Sequence, residues 1–206
     1  MTTEDVKMVA NPLGDKKKQP QPQTKQALRT MLAEYCEGKI SYGEPNTWDV
    51  TLVTDMSRLF QGMEKFNAAI DQWNTSEVTD MSAMFAGASS FNQPIKMETS
   101  QVTDMCSMFQ DASSFNQPIM MDTSNVTSMS NMFNGASSFN QPITMDTSKV
   151  TYMTSMFKNA SSFNQPIKYK IDMSKVSFND GMFDGATAMT HPKLNSVGLW
   201  YRPGSI

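Results

Sequence analysis

The side chains that most often carry catalysis or bind metals are scarce in this chain. It has one histidine, His191, and two cysteines, Cys36 and Cys106, which stand far apart. Structural zinc sites use such ligands at short, paired spacings, and covalent catalysis needs a base beside its nucleophile. No Gly-X-Ser-X-Gly motif, phosphate-binding loop or His/Cys cluster occurs in the sequence. The sequence therefore predicts no catalytic residue, no metal ligand and no cofactor, and we expect a protein that is not an enzyme.

A recurring aspartate is the strongest candidate for a row of cation ligands. Asp55, Asp80 and Asp104 each stand two residues after the valine of the same segment, V-T-D-M. Ser128 and Tyr152 occupy the next two equivalent positions, so the acidic row is interrupted. A calcium ion needs several oxygen ligands around it. We therefore interpret these aspartates as solvated turn residues, because Asp side chains often hydrogen-bond turn backbone.

Threonine recurs in two rows that stacked repeats would align. Regular rows of threonine on a flat surface can order water, as in ice-binding proteins, and ice binding is one hypothesis for the function. The alternative is structural, because a β-branched residue suits a strand position beside a buried valine. The first row comprises Thr54, Thr79, Thr103, Thr127 and Thr151, and the second comprises Thr75, Thr99, Thr123 and Thr147.

Both rows follow from an internal repeat, which we number by its anchor valine. Successive anchors are spaced by 25, 24, 24, 24 and 26 residues. Repeats built from helix pairs need roughly 33 residues or more, whereas leucine-rich repeats have about 20 to 29. One such unit cannot bury its own apolar residues, but a stack of units can. The anchors are Val53, Val78, Val102, Val126, Val150 and Val176.

Large apolar residues stand at fixed distances after each anchor, and we predict that they form the core. Methionine fills most third and sixth positions, and an invariant phenylalanine follows at the seventh. Met97, Met121 and Met145 precede their anchors by five residues, and we expect them nearer an exposed face because Trp73 and Ile171 also occupy that position. The phenylalanines are Phe60, Phe85, Phe109, Phe133, Phe157 and Phe183 at the seventh position, and Phe66, Phe91, Phe115, Phe139 and Phe163 at the thirteenth.

The heptapeptide S-S-F-N-Q-P-I occurs four times unchanged, and we interpret it as a corner of each coil. Its Phe fills the core, its Asn and Gln hydrogen-bond turn backbone or form ladders, and its Pro suits a bend. The residue that follows varies from copy to copy. Because fixed positions build a scaffold and varied positions face outward, we predict that these residues bind a partner. They are Lys96, Met120, Thr144 and Lys168.

The pattern predicts a repeat solenoid of leucine-rich-repeat-like type, with short parallel β-strands, short helical turns and an N-terminal capping helix. We predict that helix after Thr24, its N-cap, and expect it to end near Gly38. His191 falls in the degenerate last unit and is interpreted as a surface or cap residue. The predicted segments are a disordered or extended tail (1–23), a helical cap and lead-in (24–52), the solenoid (53–186) and a C-terminal cap (187–206).

The segment V-T-D-M-S-A-M-F-A-G-A-S-S-F-N-Q-P-I, followed by a D-T-S step, resembles a repeat of about 25 residues found in bacterial surface proteins and related to BspA-like leucine-rich repeats. The lead-in A-L-R-T-M-L-A-E-Y-C also resembles the helical segment that precedes such repeats. The resemblance covers roughly residues 25 to 190. It implies a leucine-rich-repeat-like solenoid with a binding or structural role, and it implies no catalytic residues.

Composition limits the class of partner. A net charge of −3 argues against the basic patch that nucleic-acid binding needs. The N-terminus lacks the apolar run of a signal peptide, and no stretch resembles a membrane span, which favours an intracellular or particle-associated protein over a secreted one. We expect a protein-interaction or structural module of a larger assembly, whose tail docks on a partner. A secreted or surface adhesin is the alternative, beside ice binding.

Overall fold

The computed structural model describes residues 5–10, 18–165, 168–170, 176–177, 180–190, 193–194 and 200–201. Two strand pairs are antiparallel, β1 with β2 and β5 with β6, whereas β3 pairs with β4 in parallel. The elements are β1 (Val6–Ala10), β2 (Lys18–Pro22), α1 (Lys25–Cys36), a 3₁₀ turn (Pro45–Thr47), β3 (Thr144–Asp146), β4 (Lys168–Lys170), β5 (Lys193–Leu194) and β6 (Trp200–Tyr201).

Helix α1 begins and ends where the sequence predicts. The hydroxyl of Thr24 accepts a hydrogen bond from the N–H of Ala27 at 3.1 Å, which satisfies one of the free donors of the first turn. Gly38 adopts φ of +80° just beyond the helix, a conformation that glycine reaches without strain. The face bearing Leu28 and Met31 is buried against the first repeat.

Successive repeats are joined by backbone hydrogen bonds between equivalent positions. The N–H of Phe85 donates to the carbonyl of Met108 at 2.8 Å, and one repeat later Phe109 donates to Met132 at 2.9 Å. Parallel bridges join the residues two positions after each anchor valine, from Asp55 to Tyr152. Where the sequence predicts short helical turns, the described repeats instead follow consecutive turns closed by bonds between residues three apart. Each repeat therefore lies in register on its neighbour.

The core consists of two adjacent stacks of phenylalanine rings. Phe109 lies nearly parallel to Phe85 and Phe133, with ring centroids 5.4 and 5.6 Å apart. Within its own repeat, Phe109 also contacts Phe115 at 4.3 Å. Both phenylalanine columns are buried over the described repeats, as predicted. Because each ring touches rings above, below and beside it, no single repeat encloses its own core.

The methionines complete this core. Those at the third and sixth positions are buried, which confirms their predicted place beside the phenylalanines. The expectation that Met97 and Met145 lie nearer an exposed face is wrong, since they are 8% and 4% exposed. Met121 between them is half-buried. Their strand alternates inward and outward side chains, and this position points inward.

Each repeat turns through two residues in the left-handed region, five and nine positions after the anchor. Ala83, Ser107 and Asn131 occupy the first position with φ between 53° and 58°. At the second position, Asp111 is followed in the next repeat by Gly135, where an added Cβ would collide with Oδ1 of Asp111. The Asp111 side chain fills the space that a side chain at position 135 would need. A residue with a side chain at this turn position is therefore accommodated where the neighbouring repeat has glycine.

The S-S-F-N-Q-P-I corner is held by an asparagine ladder. Oδ1 of Asn92 accepts from the N–H of Asn116 at 3.0 Å and from Nε2 of Gln117 at 3.1 Å. Asn116 accepts in the same way from Asn140 at 2.9 Å and from Gln141 at 3.0 Å. The corner isoleucines Ile95, Ile119 and Ile143 are buried. The asparagine oxygens therefore do both things predicted for this corner. They form a ladder between repeats, and they accept hydrogen bonds from the turn backbone.

The N-terminal end is closed by α1 and by the β1–β2 hairpin. The guanidinium of Arg29 donates to the carbonyls of Arg58, Leu59 and Gln61, the last two at 2.8 and 3.0 Å. On the neighbouring side, the N–H of Asp49 donates to the carbonyl of Pro20 at 2.8 Å. The predicted tail is thus extended over its described part, and its two strands pair with each other and contact the lead-in.

Several sequence-based predictions lie outside the described residues. These concern parts of the predicted tail (1–4 and 11–17), the position of Ile171, the interpretation of His191 and most of the C-terminal cap (187–206).

Candidate binding surface

One face of the stack carries the predicted binding residues because successive residues of its extended segments alternate between buried and exposed. Along β3 and the residue before it, Ile143 is buried, Thr144 is exposed and Met145 is buried again. The same alternation places Lys96 and Met120 outward in the two preceding repeats. Successive side chains of one column on a parallel stack lie roughly 4.8 Å apart. We call the resulting line of Lys96, Met120, Thr144 and Lys168 the outer row.

The structure pairs two members of the outer row in adjacent repeats. Thr144 and Lys168 are direct partners in the β3–β4 ladder, although the side chain of Lys168 lies outside the described part of the chain. Met120 is 90% exposed, the highest value among the large apolar side chains of the described residues. Methionine is flexible and polarisable, and such side chains are often used at adaptable binding surfaces.

A second line of side chains, two residues further along each strand, is acidic. Glu98, Asp122 and Asp146 occupy it, and the first two are exposed. Hydrogen bonds from the hydroxyl and N–H of Ser124 hold the pKa of Asp122 below its ordinary range. We missed this acidic row in the sequence. The signal was present, since a strand that presents Lys96 outward also presents the residue two positions later.

The recurring aspartates lie on another part of the repeat and serve its turns. Oδ1 of Asp80 accepts from the N–H of Ser82 at 2.7 Å, and Asp104 accepts from Cys106 at the same distance. At Asp55, burial alone would raise the pKa, but hydrogen bonds from Ser57 and Lys25 lower it. Over the described residues, no group of three or more His, Cys, Asp or Glu side chains could hold a metal ion.

The two threonine rows have different environments. The row that contains Thr99 is buried, and its hydroxyl donates to the carbonyl of Asp122 in the next repeat at 3.0 Å. The row that contains Thr103 is largely exposed, and its hydroxyl donates to the carbonyl of Thr79 at 3.3 Å. The buried row cannot contact ice, so an ice-binding surface would have to rest on a single row of threonines.

A concavity lies at the N-terminal end of the described residues. It has a volume of about 720 Å³ and lies between the hairpin and the lead-in to the first repeat. Met8, Pro20, Tyr42 and Trp48 contribute to its wall, with Asp49 at the polar part. We call it the N-terminal cleft.

The cysteines are separate from both features. Burial raises the pKa of the Cys36 thiol, which disfavours the reactive thiolate form. The sulfur of Cys106 lies 3.6 Å from the hydroxyl of Ser107 in the surface turn.

No helix of the described residues has the length and apolar character that a membrane crossing requires.

The model of one protein family matches the chain over residues 26–121 and again over 120–197, and its description is "Mycoplasma protein of unknown function, DUF285". No curated protein and no solved structure matches the chain. The two matched segments together span the helix α1 and all the repeats. The chain belongs to this family.

Proposed function

We propose that this member of the DUF285 family is a non-enzymatic protein-interaction or structural module, built as a leucine-rich-repeat-like solenoid related to the BspA-like repeats. The observation that carries the proposal is the outer row. Its residues differ from copy to copy while the columns beneath them are nearly constant. The central member, Met120, is 90% exposed.

The outer row is supported by buried residues and by fixed corners. Buried Ile119 and Ile143 directly precede the exposed residues Met120 and Thr144. Asparagine ladders fix the corners that precede these segments. A surface held this way loses little conformational entropy on binding, so its contacts contribute more fully to affinity. The partner we propose is another protein, in a larger assembly or, for an adhesin, at a cell surface.

The charges of this face support a protein partner. The outer row contributes Lys96, whereas the neighbouring acidic row contributes Glu98 and Asp122. Mixed signs at one surface favour a particular orientation of a partner more than they favour a polyanion such as nucleic acid.

Site-specific photo-cross-linking in cells of the source organism tests the proposal. A photoreactive residue at position 120 should give discrete adducts, and excess unlabelled protein should suppress them. The same residue at Ser114 is the matched control, because Ser114 is exposed in the same repeat but belongs to the constant heptapeptide. Excess Met120→Glu protein should fail to suppress the adducts. Equal adducts from both positions, or none from position 120, would contradict the proposal.

A further inference from the structure

The β1–β2 hairpin has one closed edge and one open edge. The N–H of Gln23 donates to the carbonyl of Asp5 at 2.9 Å, so this directly opposed pair is hydrogen-bonded. Hydrogen-bonded pairs alternate along an antiparallel ladder. The register therefore makes Met8↔Pro20 a pair without hydrogen bonds, and the backbone groups of both residues point away from the hairpin.

The alternating sequence Q-P-Q-P of β2 fits this arrangement. Pro20 and Pro22 have no N–H and lie at the positions that face the repeats. The carbonyl of Pro20 accepts from Asp49, so this edge is occupied. Gln19 and Gln21 retain the N–H groups that pair with β1. The proline positions thus fix which edge of the hairpin docks on the lead-in.

The other edge, that of β1, is open over the described residues. The register directs the N–H and carbonyl groups of Val6, Met8 and Ala10 outward, and no hydrogen bond from the described residues reaches them. The Met8 side chain is 53% exposed and contributes to the wall of the N-terminal cleft. An unpaired strand edge beside a cleft provides main-chain hydrogen bonds for affinity and a pocket for side-chain selection.

We propose that the β1 edge and the N-terminal cleft form a strand-addition site for an extended peptide segment of a partner protein. The segment would pair with Val6, Met8 and Ala10 and place an apolar side chain beside Met8, on the face of the hairpin where Met8 and Pro20 line the cleft. The cleft volume of about 720 Å³ is sufficient for one or more large side chains.

A peptide fits this site better than a second copy of the chain. A stable protein–protein interface takes roughly 20 to 30 residues from each side, whereas β1 supplies five. A peptide needs no more than the strand edge and the cleft, because its affinity comes from main-chain bonds and one anchored side chain. This site is remote in sequence from the outer row, so it stands independently of the proposed function.

The test selects peptides on the full chain from a phage-displayed library of random nonapeptides and compares their affinity for two variants. Met8→Pro removes the outward N–H but no bond to β2, and we expect it to weaken binding at least 10-fold. Met8→Thr keeps that N–H and should weaken binding less. Met120→Glu in the outer row should change the peptide affinity less than 2-fold. A failure of the strand-addition site is therefore distinguishable from a failure of the function proposed for the outer row.

A measurement on the wild-type chain keeps the test decisive if Met8→Pro lowers its stability. Bound peptide should slow amide hydrogen exchange at Val6, Met8 and Ala10 at least 10-fold, and leave the exchange of Phe109 unchanged. The proposal is overturned if no peptide is selected, if Met8→Pro binds selected peptides as tightly as the wild type, or if the three amides are unaffected. A wild-type dimer that Met8→Pro converts to monomer would also overturn it, in favour of a second copy.

Discussion

The interior repeats and the N-terminal end satisfy the same backbone groups by different means. Between repeats, the carbonyl of Met84 accepts from Phe60 and that of Ala86 accepts from Gly62. The equivalent carbonyls of the first repeat have no earlier repeat and accept from Arg29 instead. Inside the stack, the N–H groups of one repeat therefore satisfy the carbonyls of the next repeat. At the end, one forked side chain replaces two N–H groups.

This difference separates two kinds of stabilisation. An interior position gains from repetition, because rings, amides and carbonyls meet identical neighbours on both sides. The end depends on a few unique contacts with no copy elsewhere. Substitutions in the interior should therefore affect the whole stack, whereas substitutions at the end should chiefly affect docking of the cap.

The largest expected effect is loss of an interior ring. Phe109→Ala should lower the free energy of unfolding by about 3–5 kcal/mol, because it leaves a cavity between rings on three sides. Phe183→Ala should cost less, because Phe183 is 7% exposed whereas Phe109 is fully buried. Urea titrations of both variants measure the difference, and equal, small losses would count against a continuous core.

Loss of the cap's central contact should come next. Arg29→Ala should cost about 2–3 kcal/mol, since it leaves carbonyls of the first repeat without a charged donor. Arg29→Lys should recover part of this, because an ammonium group keeps the charge but lacks the planar fork. Lys65→Ala changes an exposed residue of the first repeat and is the control. Its free energy of unfolding should stay within about 0.5 kcal/mol of the wild-type value. Thermal unfolding of the variants would reveal an error in this account if Arg29→Ala behaved like the control.

The asparagine ladder should contribute a smaller amount at each rung. Asn116→Ala removes the acceptor of Asn140 N–H and Gln141 Nε2 and should cost about 1–2 kcal/mol. Asn116→Asp keeps an oxygen at that place and should cost less. Denaturant titration distinguishes the two, and a larger loss for Asp than for Ala would be inconsistent with an acceptor role.

The smallest effect concerns pH at the cap. Lys25 donates to Asp55 at 2.9 Å, and the pKa of Asp55 is below its ordinary value of 3.8. A carboxylate with a lowered pKa stabilises the fold above about pH 4, and this contribution is lost as pH falls through the folded-state pKa. Because both side chains are partly exposed, the effect should not exceed about 1 kcal/mol.

The corresponding experiment compares wild type with Asp55→Asn at pH 6 and at pH 3. We expect the wild type to be more stable at pH 6 and the difference to shrink at pH 3. A difference that grows on acidification would have the wrong sign for this ion pair.

The repeat itself was readable from the sequence because each column is reinforced by several copies. The Phe columns, the third- and sixth-position methionines and the Thr24 cap are observed as predicted. The β1–β2 hairpin was not foreseen, because its Q-P-Q-P strand resembles an unpaired linker and the bond that docks it, from Asp49 to Pro20, joins residues far apart in sequence. The left-handed turn at Ser107 was also missed, since no glycine marks that position.

The candidate surface was predictable only in part. Variation after the heptapeptide pointed to Met120 and Thr144, which lie exposed in one row. The cleft at Trp48 and the open edge of β1 depend on how the hairpin packs against the lead-in, and sequence periodicity carries no information about that contact. Contacts that occur only once therefore need the structure.

Native-state hydrogen exchange tests most directly whether the repeats form one continuous stack. The N–H groups of Phe85, Phe109 and Phe133 make equivalent bonds, each to a methionine carbonyl of the next repeat. If the stack unfolds as a unit, the three amides should exchange with one shared free energy, equal to that of global unfolding. Three different values, all well below the global one, would show that the repeats open independently and would contradict the account.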